Sequence, residues 1–297
     1  MHYHKYRLIV PFMLPALLLY AVFVLWPYAQ AIYLSFTSWR GVSPNKPWVG
    51  LDNYRRLLDD QRFNDAITRN GQVLIVLPLV TIAIALTFAA LFTQGNQAIA
   101  GAGFYRIVFF FPQVISAVIV GMLWGYVYNP NMGLLNGVLG AVGLDSLKHT
   151  WLGDPKLILW AIVAVAIWSG VGFYMVIYIA GMQSIPTSFY EAAILDGASR
   201  FTSFKDITLP LIWETIRTTL IYLGIAALDL FVLVQVMTGG GSGSGRKAEV
   251  TALYLYDQAF NKSRWGYASA IGVVLLLGTL LLSVVLMRLT RRETYEF

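Results

Sequence analysis

Six stretches of about 20 apolar residues, near 8–28, 73–92, 107–128, 157–179, 218–237 and 268–287, run through this chain with scarcely a charge among them. That length is what a helix needs to cross the hydrocarbon core of a bilayer. Lipid offers a backbone no water to bond, so each stretch must satisfy its own N–H and C=O groups as an α-helix. The expected fold is all-α: a polytopic membrane helix bundle of six spans, one transmembrane domain over residues 1–297. Composition agrees, with 58% hydrophobic and 12% charged residues and a mean hydropathy of +0.65, against roughly a quarter charged in soluble domains. The first stretch is too long for a removed signal peptide and lacks an early small-residue cleavage site.

An even number of spans puts both termini on one side. Counting Lys and Arg over all loops does not choose the side, but residues next to span ends weigh most. Lys5 and Arg7 before the first span and Arg288, Arg291 and Arg292 after the last favour cytoplasmic termini. The net charge of +6 is scattered over short loops and forms no continuous basic face, which argues against a nucleic-acid partner. With no cysteine, thiol chemistry and disulfides are excluded. His2, His4 and His149 are isolated, no Ser/His/acid triad can be assembled, and neither catalysis nor a metal site is expected. The Gly/Ser-rich run from Gly239 to Lys247, which includes Gly241 and Ser242, fails the phosphate-loop pattern because Gly245 is followed by Arg246 and Lys247 by Ala248; it reads as a flexible loop.

Between two of the spans, residues 183–210 form a polar loop: Glu191-Ala192-Ala193, then Asp196-Gly197-Ala198, closed by Leu209-Pro210. Pro186 with Thr187 or Ser188 can start a helix, with Glu191 near its positive end and Ala192 and Ala193 as a smooth face for a partner's groove. Gly197 suits the turn. Phe201, Phe204 and Ile207 at three-residue spacing make a second short helix, expected to end before Pro210.

This loop resembles the cytoplasmic "EAA" loop of binding-protein-dependent ABC importer permeases, the element that touches the ATP-hydrolysing subunit. The resemblance extends to Gly50-Leu51-Asp52-Asn53-Tyr54 in the first external loop, and to Tyr254, Tyr256, Ala259, Phe260 and Gly266-Tyr267-Ala268 with Ala270 before the last span; that second stretch is similar to sugar permeases of the maltose permease kind. The family's usual proline after the glycines is absent at Gly239-Gly240-Gly241.

The resemblance, which spans most of residues 8–290, implies a multi-pass subunit of the cytoplasmic (inner) membrane that moves a sugar or oligosaccharide by alternating access and is not itself an enzyme. Its implied partners are a second homologous permease, an ABC ATPase dimer that binds the ATP and Mg, an extracytoplasmic solute-binding protein, the sugar and membrane lipid. It implies ATPase coupling through Glu191, Ala192, Ala193, Asp196, Gly197, Ala198, Leu209 and Pro210. A permease for glycerol phosphate or another polar solute, and an ion-coupled secondary transporter using Asp229, remain alternatives.

For the substrate path, Asp229 is the one acid deep in a span, about 12 Å from the outer end of span five at 1.5 Å per residue. Trp168, Gly170 and Tyr174 offer a flat aromatic face and a close-approach or kink site in span four. Pro112 with Gln113 and Ser116 can break span three beside an amide and a hydroxyl. The first external loop is expected to hold an interfacial helix carrying Leu57, Leu58 and Phe63, residues 129–156 a second loop with turns and a short helix, and Trp124, Tyr126 and Tyr128 the outer aromatic belt.

Overall fold

The apolar runs close their backbone bonds locally, and nearly every element is helical. In chain order these are α1 (Tyr3–Tyr20), a π-turn (Ala21–Leu25), α2 (Trp26–Ser35), α3 (Asp52–Asp59), α4 (Gln61–Leu91), α5 (Ala102–Val114), α6 (Ala117–Val127), α7 (Leu134–Ala141), α8 (Ile158–Gln183), α9 (Thr187–Leu195), α10 (Arg200–Ser203), a π-turn (Phe204–Thr208), α11 (Leu209–Leu211), α12 (Trp213–Leu228), α13 (Phe231–Met237), α14 (Thr251–Tyr256), a π-turn (Asp257–Asn261) and α15 (Trp265–Leu289). A two-residue hairpin, Thr93–Gln94 with Gln97–Ala98, is the one strand pair longer than a single bridge among the described residues. This computed structural model describes residues 3–94, 97–98, 101–240 and 243–291; His2, Gly241, Ser242 and Arg292 lie outside the described residues.

Among the described residues four helices are long and apolar enough to cross a membrane unbroken: Pro11–Ser35, Gln61–Leu91, Ile158–Gln183 and Trp265–Leu289. The first and second extend well beyond the expected 8–28 and 73–92. Two expected spans are not straight. The one near 107–128 bends by 98° between Gly103–Val114 and Ala117–Val127. The break falls at Ile115 and Ser116, both with ψ of 135°, beyond Pro112, which stays inside its helix. The span near 218–237 begins earlier, at Trp213, and stops at Leu228; Asp229 (φ −116°, ψ 63°) leaves the helix before α13 resumes. Asp229 therefore sits at a break, not within a continuous helix.

The chain forms two compact units, Met1–Asn64 with Tyr254–Gly278 and Asp65–Leu253 with Thr279–Phe297. In the first, Leu57, Phe63, Tyr254, Tyr267, Ala270 and Ile271 make the core, while Leu58 is 78% exposed. Asp60 caps α4: its Oδ1 accepts the backbone N–H groups of Arg62 (3.0 Å) and Phe63 (3.2 Å), and its Oδ2 accepts the hydroxyls of Tyr254 and Tyr267. Arg62 pairs with Asp257 at 2.7 Å and lies over the Tyr254 ring. In the span Pro11–Ser35 the described side chains face outward almost throughout, from Phe12 to Trp26.

Burial acts to raise the Asp60 pKa, but the two tyrosine hydroxyls and the two backbone N–H groups outweigh it and hold the carboxyl below its ordinary value of 3.8. A depressed folded pKa contributes stability that is present above the ordinary value and lost as pH falls through the folded one. Asp60→Asn is expected to lower the stability of this unit at pH 7 by about 1–2 kcal/mol, the scale of a lost cap and charge-assisted bonds. It is also expected to flatten the loss of melting temperature that the parent shows below about pH 4. Thermal melts in detergent from pH 7 to pH 3 check both, and equal acid sensitivity of parent and variant would contradict the assignment.

In the second unit, one core gathers around Val73, Leu77, Ile162, Val165, Ala227 and Val234, the other around Ala85, Met175, Tyr178, Ile179, Ile212 and Leu223. The α5 helix lies along α8 because Gly172 has no side chain: a Cβ there would run into the carbonyl of Phe109. Tyr128 is not part of an outer belt, since it is 5% exposed and its hydroxyl donates to Ala161 O at 3.1 Å. Trp124 packs on Tyr128 and Trp168 at centroid separations of 5.2 and 5.3 Å, which leaves Tyr126 as the exposed aromatic of the three.

Candidate functional site

The loop 183–210 folds as helix, turn, helix. Thr187 opens α9 after Pro186, without a side-chain cap. Glu191 lies beyond the first turn, where the helix dipole no longer acts strongly, so its expected placement at the positive end is not met. At the other end Gly197, with φ of 75°, allows the chain to reverse: the N–H of Ala198 bonds Ala193 O at 2.8 Å and that of Gly197 bonds Ile194 O at 3.0 Å. This is a helix end that a residue with a side chain would strain. Ser199 caps the returning arm by accepting the N–H of Thr202 at 3.1 Å. The hydroxyls of Tyr190 and Thr208 bond across the two arms at 3.0 Å, and burial raises the Tyr190 pKa, so that it holds its proton.

The second arm does not end before Pro210. A π-turn, closed by the N–H of Leu209 on Phe204 O, widens the helix just ahead of the proline, and the arm continues to Leu211. The smooth alanine face is likewise different from expectation: Ala193 is buried against its own chain, and the outer surface presents Ile194 (70% exposed), Leu195 (88%) and Phe201 (74%). Glu191, Ala192 and Asp196 are exposed beside them. Large apolar side chains left exposed on a short hairpin make it a candidate for a partner contact. Its signal was readable as Ile194-Leu195 directly before Asp196, inside a loop otherwise rich in polar residues.

From Leu211 the chain turns by 69° at the buried Ile212 into α12. Along one face of α12, Glu214, Thr218, Tyr222, Ala226 and Asp229 recur at helical spacing. They line a cavity of about 830 Å³ whose opposite wall is Phe173, Tyr174 and Ile177 from α8. Cavities of about 300–1,000 Å³ hold small organic solutes. The two helices are joined by a 2.5 Å bond between the hydroxyls of Tyr178 and Thr219.

Of the expected path residues, the structure brings Tyr174 and Asp229 together in this cavity. Gln113 and Ser116 are exposed at the α5–α6 break, Trp168 packs on Trp124, and a Cβ placed at Gly170 would lie 3.6 Å from the Tyr174 ring; none of these lines the cavity. The threonines at 215, 218 and 219 and Tyr222 were missed. Single hydroxyls are ordinary in membrane helices, and only their shared face distinguishes them. Among the described residues no three His, Asp or Glu side chains gather to hold a metal.

The model of the family described as "Binding-protein-dependent transport system inner membrane component" matches residues 57–295, and this chain belongs to that family. It is a membrane permease subunit. The diacetylchitobiose uptake system permease protein NgcF of Streptomyces coelicolor is 42% identical, over 93% of this chain and 80% of its own length. The probable ABC transporter permease protein YurN of Bacillus subtilis is 37% identical, over 93% and 94%. In fold, the chain is similar to a bacterial alginate ABC transporter, once crystallised in complex with an alginate-pentasaccharide-bound periplasmic protein, with a TM-score of 0.84 at 23% identity over 99% of this chain and 98% of that one.

Proposed function

We propose that the chain, acting as one permease domain over residues 1–297, carries a sugar or short oligosaccharide inward across the cytoplasmic membrane. It would work beside a second permease of the same kind, receiving solute from an extracytoplasmic binding protein. Two partner ATPase subunits hold the ATP and Mg, and the termini and the 183–210 hairpin face them in the cytoplasm. The supporting observation is continuity: the exposed patch of Ile194, Leu195 and Phe201 belongs to a hairpin that leads through one bend at Ile212 into the helix lining the cavity. The hairpin is stiffened by the Gly197 turn, the Ser199 cap and the Tyr190–Thr208 bond, so closure of an ATPase dimer against it moves α12 as a unit. Moving a two-state transporter from 1:99 to 99:1 takes about 5.5 kcal/mol of differential binding, which the partner ATPases would have to supply. The sugar class follows the diacetylchitobiose relative and the alginate system of the same fold.

Leu195→Asp tests the docking step, since it places a charge where an apolar contact is expected. The ATPase subunits should no longer copurify with the permease, and uptake of diacetylchitobiose into proteoliposomes should fall by at least about tenfold, a loss of some 1.4 kcal/mol or more of docking energy. Retention of both the ATPase and the uptake would show that the hairpin is not the docking element.

A further inference from the structure

The cavity wall carries two carboxylates in different states. Glu214 is paired: Arg217 donates to both of its oxygens at 3.0 Å and holds Met287 O with its other arm at 2.9 Å. Asp229 has no such partner. Its backbone N–H closes the end of α12 on Ala226 O, while its exposed side chain borders the cavity with no ion pair or side-chain hydrogen bond among the described residues. The rest of the lining is hydroxyl, aromatic or aliphatic, and it contains no Lys, Arg or His. Asp229 is exposed at the break where α12 ends.

We propose that Asp229 is the charge filter of this cavity, admitting neutral and amine-bearing sugars and disfavouring uronates and sugar phosphates. The inference rests on the reading of the cavity as part of the solute path. The fold itself does not set this preference, since a transporter of the same fold imports the acidic polysaccharide alginate. What sets it here is one unpaired negative charge at the edge of the cavity, in a lining that holds no cation to offset it.

The absence of native cysteine allows a direct measurement. Ala226→Cys places one thiol on the exposed wall of the cavity, one helical turn before Asp229, in the assembled complex. Its reaction rates with a cationic trimethylammonium methanethiosulfonate and with the anionic sulfonate counterpart are each divided by the rate for free mercaptoethanol. The cationic reagent should be favoured by on the order of tenfold, and adding Asp229→Asn should reduce that excess to within about threefold of unity. Equal normalised rates, or an excess that survives Asp229→Asn, would overturn the filter. The disaccharide of the uptake assay should slow both reagents; if the rates show no charge preference while the sugar still protects, only the filter fails. A thiol that neither reagent reaches, or that the sugar does not protect, would overturn the path reading and the filter with it.

Discussion

Gly172→Leu is expected to prevent recovery of a folded permease. The Cβ of any larger residue at 172 meets the carbonyl carbon and oxygen of Phe109 and lies 2.8 Å from the nitrogen of Phe110. These are backbone atoms of a neighbouring helix and cannot rotate aside as a side chain could. Relief requires α5 to move off α8, the most extensive helix pairing in the second unit. Overpacking a tight core costs about 1–3 kcal/mol, and a clash with backbone belongs at or above the top of that range, against a total stability of only about 5–15 kcal/mol. Gly170→Ala is the contrast, because its nearest neighbour, the Tyr174 ring, is at an ordinary 3.6 Å and alanine favours a helix by up to about 1 kcal/mol. Size-exclusion chromatography and thermal melts in detergent should show the first variant aggregated and the second as stable as the parent. Two equally tolerated variants would mean that α5 and α8 are not in this contact.

The second large effect is expected from Asn70→Leu. Asn70 is 3% exposed on α4; its amide donates to Ala227 O at 3.1 Å, and its oxygen accepts the backbone N–H and the hydroxyl of Thr251, both at 2.8 Å. Ala227 lies in the last turn of α12, where carbonyls lack helical partners. Leucine fills similar space but satisfies none of these groups. Buried polar groups left unpaired cost about 1–3 kcal/mol each, so a loss of about 3 kcal/mol or more is expected. The variant should melt markedly earlier than the parent. It should also lose the preference for the cationic thiol reagent at Ala226→Cys, because the helix end that positions Asp229 is released. A melting temperature within a degree of the parent would remove Asn70 from this role.

Much of this architecture was legible in the chain. Charge-free runs of span length marked the membrane helices, and Asp196-Gly197 marked the turn of the hairpin, because only a few residues tolerate that backbone. One break was legible: Pro112 with Gln113 and Ser116 was read as able to interrupt span three, and the backbone turns there, at Ile115 and Ser116 just beyond the proline. The break at Asp229 was not, because hydropathy adds up side chains and carries no direction, so Asp229 looked like a residue inside a span. The stretch Trp168-Ser169-Gly170-Val171-Gly172 was read as offering glycines for close approach, and the close approach occurs at the second of them, Gly172; spacing alone does not say which glycine faces the neighbour. Tyr128 was assigned to the interface by its type, whereas a carbonyl at Ala161 within reach of its hydroxyl lets it be buried. Tyr174 and Asp229 were found because an aromatic and an acid stand out in apolar surroundings. The threonine stripe between Glu214 and Asp229 stands out only once the helix face is known.

The interruption at Asp229 and Leu230 also sets where motion can end. With α13 packed along α6 and separated from α12 by non-helical backbone, α12 can pivot on that point without dragging α13. From Trp213 to Leu228 it is an arm of about 24 Å at 1.5 Å per residue, so a tilt of about 10° sweeps its hairpin end by about 4 Å and its Asp229 end hardly at all. A stroke applied at the hairpin would be largest at the Glu214 end of the cavity wall and smallest at the Asp229 carboxylate.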